Sequence, residues 1–595
     1  MSLRDDQPTE PGAIERPIPS ETGGAAFGSD VIAETLRALD IPYIAINPGA
    51  SFRGLHDSLV NHLANERPQM LLCLHEESAV AIAHGYAKVT GRAMAAAVHS
   101  NVGLFHATMA LFNAWCDRMP VLAIGATGPV DAAKRRPWID WIHTARDQGA
   151  IVRGYTKWDD QPASPEAARE AVVRAAWIAN TLPQGPTYVV LDAGMQEASL
   201  TAPLPPLDPA RLAPAVATGA SPGVIAEAAA MLDAARNAVI LAGRASRRME
   251  AWAARVALAE KLGARVITDL KVGAAFPTDH PLHAGAPSVL ALSEEASATL
   301  SAADVILSLD WVDLAGTLRA CPSTCAKVIQ VTLDHTVHNG WSMDYQGLAP
   351  ADLFIAADPD EVAAALAGGV RSREGGTGHL ARPPSPAPDR GGPLAVEHLA
   401  FALREAVGAR DVSLLHLPLS WNGAWWPFRH PLDFLGGDGG GGIGGGPGIS
   451  VGAALALKGS GRLPVSICGD GDFLMGVTAL WTATHYRIPL LLLVANNRSY
   501  YNDEVHQERV ARARNRPVDN KWIGQRMTDP EIDLAAMARA QGALGIGPVM
   551  SHDALGPAFA EAIAAVKRGG VAVVDVRVEP GYAAAMTQTM LTARE

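Results

Sequence analysis

Two short, uniformly apolar runs, residues 465–468 and 490–494, each end in a polar turn, Gly469-Asp470-Gly471 and Asn496-Asn497-Arg498-Ser499. Runs of that length, apolar on both faces, read as buried strands of a parallel sheet. Between them lies an apolar-rich segment of helical length carrying Met475, Leu480 and Tyr486, with Pro489 where a helix must already have stopped. The unit is βαβ, so both turns open on one edge of the sheet, where open α/β folds bind ligands. Asp470 and Asn497, 27 positions apart, meet at that edge. A carboxylate and an amide oxygen suit Mg²⁺, which fills its remaining positions with water and phosphate oxygens. The glycines let a diphosphate approach the N–H groups at the helix start. Each turn alone is an ordinary strand end. Their joint spacing predicts a metal-diphosphate site.

Gly469-Asp470-Gly471 followed by Asn496-Asn497 resembles the signature of the thiamine diphosphate enzymes, the group of acetolactate synthase, benzoylformate decarboxylase, pyruvate oxidase and benzaldehyde lyase. Residues 479–489, ALWTATHYRIP, are similar to the corresponding segment of the decarboxylase and the synthase. The resemblance implies that Asp470, the Asn497 side chain and the Ser499 backbone carbonyl hold Mg²⁺, with Gly471 and Asp472 against the diphosphate.

A chain of 595 residues is too long for one ordinary domain. Strands alternate with helices throughout, which predicts an α/β protein of three doubly wound parallel-sheet domains. Residues 28–200 are expected to be a pyrimidine-binding domain, 223–373 a central domain and 394–595 the diphosphate- and Mg²⁺-binding domain. Linkers rich in Pro, Gly and Ala are expected at 201–222 and 374–393, and a loose arm at 1–27. Net charge is −12, against a nucleic-acid footprint. Five scattered cysteines imply no disulfide framework and fit a reducing cytoplasm; Cys321 and Cys325 lack partners at zinc spacing and read as packing. The first residues lack the pattern of a secretory signal, and no apolar stretch is of membrane-spanning length.

Residues 43–46 form a strand ended by Asn47-Pro48-Gly49, and 70–74 a second followed by His75, Glu76, Glu77 and an Ala-rich helix. A glutamate there is ordinarily a partner for the helix dipole. The thiamine family has an essential glutamate in this setting, and Glu76 falls on it, which implies a hydrogen bond to the pyrimidine ring that readies the cofactor for deprotonation. The same resemblance assigns Pro48 and Gly49 to the cofactor. A histidine at a strand end is often structural, but His99-Ser100-Asn101-Val102-Gly103 is similar to a turn that carries a catalytic histidine in benzoylformate decarboxylase. The decarboxylase serine after the NPG turn is displaced here by one position, to Ser51, with Ala50 before it. Arg135, Arg136, Trp138 and Trp141 form a basic, aromatic loop, read as surface or interface, with a lid as the alternative.

In the central domain, residues 243–248, GRASRR, lack G-x-G-x-x-G, so FAD, held there in flavin-binding relatives, stands only as an alternative to a scaffold. Trp421, Trp425 and Trp426 read as core or interface, or as a substrate wall. Acetolactate synthases place polar diphosphate contacts near Leu417 and Pro418, where this chain has none. Aligned with the family, the glycine-rich run 436–448 puts Ile443 where a large apolar residue bends the cofactor and the Gly441 carbonyl against its amino group. Related enzymes bind the cofactor between subunits, which implies a homodimer or homotetramer with Glu76 and Asp470 from different copies. The resemblance implies making or breaking a C–C bond beside a carbonyl through a ylid and a carbanion or enamine, in a 2-oxo acid decarboxylase or an acetolactate synthase-like carboligase. A cofactor-binding protein with little catalysis is the alternative.

Overall fold

The computed structural model describes residues 15–19, 23–321, 326–337, 347–373, 385–582 and 591. Cys325, residues 374–384 of the second expected linker and most of the expected arm lie outside them.

The strands β1 (Tyr43–Ile46), β2 (Gln69–Leu72), β3 (Met94–Val98), β4 (Val121–Thr127), β5 (Trp158–Asp160) and β6 (Thr187–Asp192) form one sheet in the order β2-β1-β3-β4-β6-β5. A second sheet contains β7 (Ala238–Ala242), β8 (Arg265–Ile267), β9 (Val305–Leu309), β10 (Lys327–Val331) and β11 (Leu353–Ile355), ordered β11-β10-β9-β7-β8. The third holds β12 (Val412–His416), β13 (Leu463–Gly469), β14 (Leu490–Asn496), β15 (Leu544–Val549) and β16 (Val571–Arg577), ordered β12-β13-β14-β16-β15. Every pairing within the three sheets is parallel. Central strands such as β3, β4 and β14 are buried on both faces, because helices cover each side of a sheet built from crossover units.

Two features of strand order position the chemistry. Strands β1 and β3 are neighbours at the point where the first sheet's order reverses, so the turns after them, Asn47-Pro48-Gly49 and His99, share a crevice. Strands β13 and β14 pair with Gly469 opposite Ala495, which sets Asp470 and the Asn496-Asn497 turn side by side.

The first and third sheets are joined through the helices Glu76–Thr90 and Gly446–Leu457. They cross at glycines: a Cβ at Gly85 would run into the Ile449 carbonyl, and one at Gly452 into that of Ile82. Beside this crossing the buried Lys88 ammonium pairs with Asp117 and donates to the Gly437 carbonyl at 2.7 Å, while His84 Nε2 lies 2.8 Å from Asp117. Arg247, from the GRASRR segment, donates to the carbonyls of Lys88, Pro431 and Leu435, at 3.3, 3.3 and 3.2 Å. That segment therefore ties the second sheet's domain to its two neighbours.

Three expectations are refined. The helical segment after β13 is two helices, Asp470–Gly476 and Ala479–His485, not one. The arm is not loose throughout, because the Glu15 carboxylate accepts from Tyr486 Oη at 2.7 Å and sits 3.0 Å from His485 Nε2. Trp421, Trp425 and Trp426 are buried in the third domain's core, where Trp421 and Trp425 meet edge to face at 5.6 Å. None of the three lines the cavity described next.

Candidate active site

The carboxyl ends of β13 and β14 open on a cavity of about 740 Å³, within the range of small-molecule sites. Asp470, Gly471, Asp472, Asn497, Ser499, Gly441 and Ile443 all line it. Asp470 is buried; its Oδ1 accepts from Gly471 N at 2.8 Å and its Oδ2 from Arg498 N. Burial pushes its carboxyl up to about 6, so the site favours a cation over a bare carboxylate. Asn497 Oδ1 accepts from Ser499 N at 2.8 Å. Arg498 between them holds φ at 58°, a strained value for a residue with a side chain. The turn is braced from both sides: Asn496 Nδ2 donates to Asp575 at 2.9 Å, and Ser499 Oγ donates to Glu504 at 2.6 Å, itself clamped by Arg526.

The glycine-rich run forms the opposite wall. Gly441 and Gly444 take φ of 71° and 105°, conformations that favour glycine. Asp472 Oδ1 accepts from Gly444 N and Gly446 N at 2.7 and 3.2 Å, so this carboxylate staples the run to the helix after β13. Ile443 is 44% exposed and borders the cavity.

The first domain carries a separate cluster. Glu76 is buried at its helix start, with Oε2 2.9 Å from His106 Nδ1. His99 Nδ1 lies 2.7 Å from Ser51 Oγ, and its ring meets His143 edge to face at 4.7 Å. The displaced serine thus reaches the histidine despite the shift in sequence. Gly49 is required by close approach, since a Cβ there would run into the His99 ring. Ser100 holds φ at 51°, and its Oγ donates to the His143 carbonyl at 2.8 Å. Burial, and next the neighbouring His143, lower the His99 pKa, which keeps the ring neutral at pH 7. Pro48 and Gly49 line a second cavity of about 400 Å³. None of Pro48, Gly49, Glu76 and His99 lines the cavity of Asp470.

Family models cover each of these regions in turn: the N-terminal TPP binding domain of thiamine pyrophosphate enzymes matches residues 27–151, their central domain 225–366 and their C-terminal TPP binding domain 419–576. The chain belongs to the thiamine pyrophosphate enzymes. Benzoylformate decarboxylase of Pseudomonas aeruginosa is 28% identical over 72% of this chain and 79% of its own length. The large subunit of acetolactate synthase isozyme 1 of Escherichia coli is 25% identical over 81% and 83%. Among solved structures, benzoylformate decarboxylase of Polynucleobacter necessarius superposes with a TM-score of 0.78 at 23% identity, over 94% of this chain and all of the other. The 4-hydroxybenzoylformate decarboxylase of Rhodococcus jostii gives 0.77 at 25%, with the same coverage.

The donor set of this thiamine pyrophosphate enzyme fits the group its family uses. Asp470 and Asn497 present oxygen donors, and Gly439, Gly441, Ile443, Tyr500, Tyr501 and Tyr582 line the same cavity. His143, His106 and the Glu504–Arg526 clamp were not marked by the sequence, and neither was the contact of Ser51 with His99. Each is defined by a partner 20 or more positions away, except Ser499–Glu504, and none sits in a motif of its own.

Proposed function

We propose that this chain is a thiamine diphosphate- and Mg²⁺-dependent enzyme that makes or breaks a C–C bond beside the carbonyl of a 2-oxo acid, in sites completed by two copies of the chain. The observation that carries this reading is the division of the site residues: Asp470, Asn497, Ser499, Gly441 and Ile443 share one cavity, while Glu76 and His99 stand outside it on the first domain. A second copy, in a dimer or a tetramer, brings the two sets together.

When bound, thiamine diphosphate supplies an electron sink for the charge left as a bond beside a carbonyl breaks. The chain's own groups bind, orient and move protons. The Asp470 and Asn497 side-chain oxygens and the Ser499 carbonyl, which border the cavity, would hold Mg²⁺, and Gly471 would lie against the diphosphate. Ile443 and the Gly441 backbone, which line the cavity, would hold the cofactor's rings. Glu76 from the other copy engages the pyrimidine. His99, kept neutral and fixed through Nδ1 by Ser51, takes or gives a proton at Nε2. The decarboxylase names among the relatives and this histidine favour 2-oxo acid decarboxylation; the synthase relative makes carboligation the companion activity to assay.

A second reading, cofactor binding with little turnover, draws on Leu417 and Pro418, which line the cavity without polar side chains. Titration calorimetry with thiamine diphosphate and Mg²⁺, followed by assays on benzoylformate, pyruvate and aldehyde pairs, separates the two. Uptake abolished by Asp470→Ala, with turnover reduced about 100-fold or more by Glu76→Gln, is expected. Uptake without turnover on any substrate favours the second reading, and no uptake by the unaltered chain overturns both.

A further inference from the structure

A carboxylate that has to meet one nitrogen of a ring must be aimed, and a glutamate side chain is long enough to sample many rotamers unless a neighbour holds it. Glu76 is the first residue of the helix Glu76–Thr90, and its side chain is 9% exposed. Among the described residues its carboxylate makes one hydrogen bond, with Oε2 2.9 Å from His106 Nδ1. That contact fixes one oxygen and leaves Oε1 without a protein partner among those residues.

The holding group is itself held. His106 lies on the helix Ser100–Cys116, three positions after Gly103, so the two share a face. A Cβ at Gly103 would stand 2.9 Å from Glu76 Oε1 and 3.1 Å from its Cγ. This helix therefore meets the glutamate with a glycine beside one oxygen and an imidazole on the other. The His106 ring stacks on that of His75, with centroids 4.9 Å apart and planes 23° apart. His75 is pinned in turn, because its Nδ1 accepts from Glu77 N at 3.2 Å. The helices that carry Glu76 and His106 follow β2 and β3, the two neighbours of β1, so strand order brings the pair together. No charge on the imidazole is needed: a neutral ring protonated at Nδ1 donates to the carboxylate.

We propose that His106 is a positioning residue, which holds the Glu76 carboxyl through Oε2 so that Oε1 is presented to the pyrimidine ring of the cofactor. This rests on the thiamine diphosphate reading above. His106 touches neither cofactor nor substrate in this role and acts only through Glu76.

Two measurements on the full-length chain with Mg²⁺ test this: calorimetric affinity for thiamine diphosphate, and the rate at which the thiazolium carbon of the bound cofactor exchanges its proton for deuterium, read by NMR after acid quench. His106→Ala is expected to slow exchange about ten- to a hundredfold, the span of a hydrogen bond to a charged group, with affinity within about threefold. The ring is 57% exposed, so its truncation opens no core cavity. His106→Leu, which keeps a side chain against His75 but gives no hydrogen bond, is expected to slow exchange as alanine does, and His106→Asn, which keeps an N–H donor, to restore most of the rate. Glu76→Gln is expected to be slow by itself and no slower with His106→Ala added, since the histidine acts through the glutamate. Exchange as fast in His106→Ala as in the unaltered chain, or a further loss of the same size on the Glu76→Gln background, overturns the positioning role. An unaltered chain that takes up no cofactor overturns the thiamine diphosphate reading itself, so the two failures are told apart.

Discussion

At the scale of single residues, His99 owes its protonation state to its surroundings. Burial and next the imidazole of His143 hold its pKa below the ordinary histidine value, the carboxylate of Glu76 opposes them, and Arg136 reinforces them. If the neutral ring is the working form, activity falls as pH drops through that lowered pKa, so the acid limb of kcat lies below about 6.5. Removing the second imidazole with His143→Asn raises the His99 pKa, and the acid limb is expected to move to higher pH; an unmoved limb would assign it to another group. Ser51→Ala removes the partner of Nδ1 and frees the ring to turn. It is expected to lower kcat about tenfold with cofactor affinity unchanged, read from parallel kinetics and titration.

At the scale of elements, the junction between the helices Glu76–Thr90 and Gly446–Leu457 holds the first and third domains together. Gly452→Ala puts a methyl into the Ile82 carbonyl, and overpacking of this kind costs about 1–3 kcal/mol. The first unfolding transition in urea is expected at lower denaturant. Lys88→Met leaves Asp117 buried with only His84 beside it and removes the bond to Gly437, for a cost of about 3–5 kcal/mol. Gly437 belongs to the glycine-rich run that lines the cavity, so this variant is also expected to weaken cofactor binding. A drop in stability without a drop in affinity would show that the wall keeps its shape without Lys88.

At the scale of the whole molecule, the two site clusters on one chain line no common cavity, and the proposed function assigns them to two copies of the chain. Chains carrying Glu76→Gln and chains carrying Asp470→Ala are each expected to be inactive alone. Mixed after dissociation and reassociation, half of the random dimers are hybrids and one of their two sites is intact, so about a quarter of the sites recover. A mixture as inactive as its parts would place Glu76 and Asp470 in the same chain's site. The Trp138–Trp141 loop belongs to this scale as well. Its tryptophans are 70% and 73% exposed, Arg136 stacks over Trp138 at 5.3 Å and pairs with Asp140, and the loop reaches His143 beside His99.

The fold class and the family were legible in the sequence because both are written locally. Short apolar runs ended by polar turns mark buried parallel strands, and Asp470, Asn497 and Glu76 stand at their carboxyl ends beside those markers. Beyond the β13–β14 pair, tertiary structure alone decided which strand ends meet. The β1–β3 pairing brings Ser51 to His99, the end of β12 brings His416 to Asp472, and helix packing brings Lys88 to Asp117 and Gly437. Strand order and helix crossing are set by burial of apolar faces over the whole domain, so contacts between residues 28 to 349 positions apart leave no trace in any short stretch of chain.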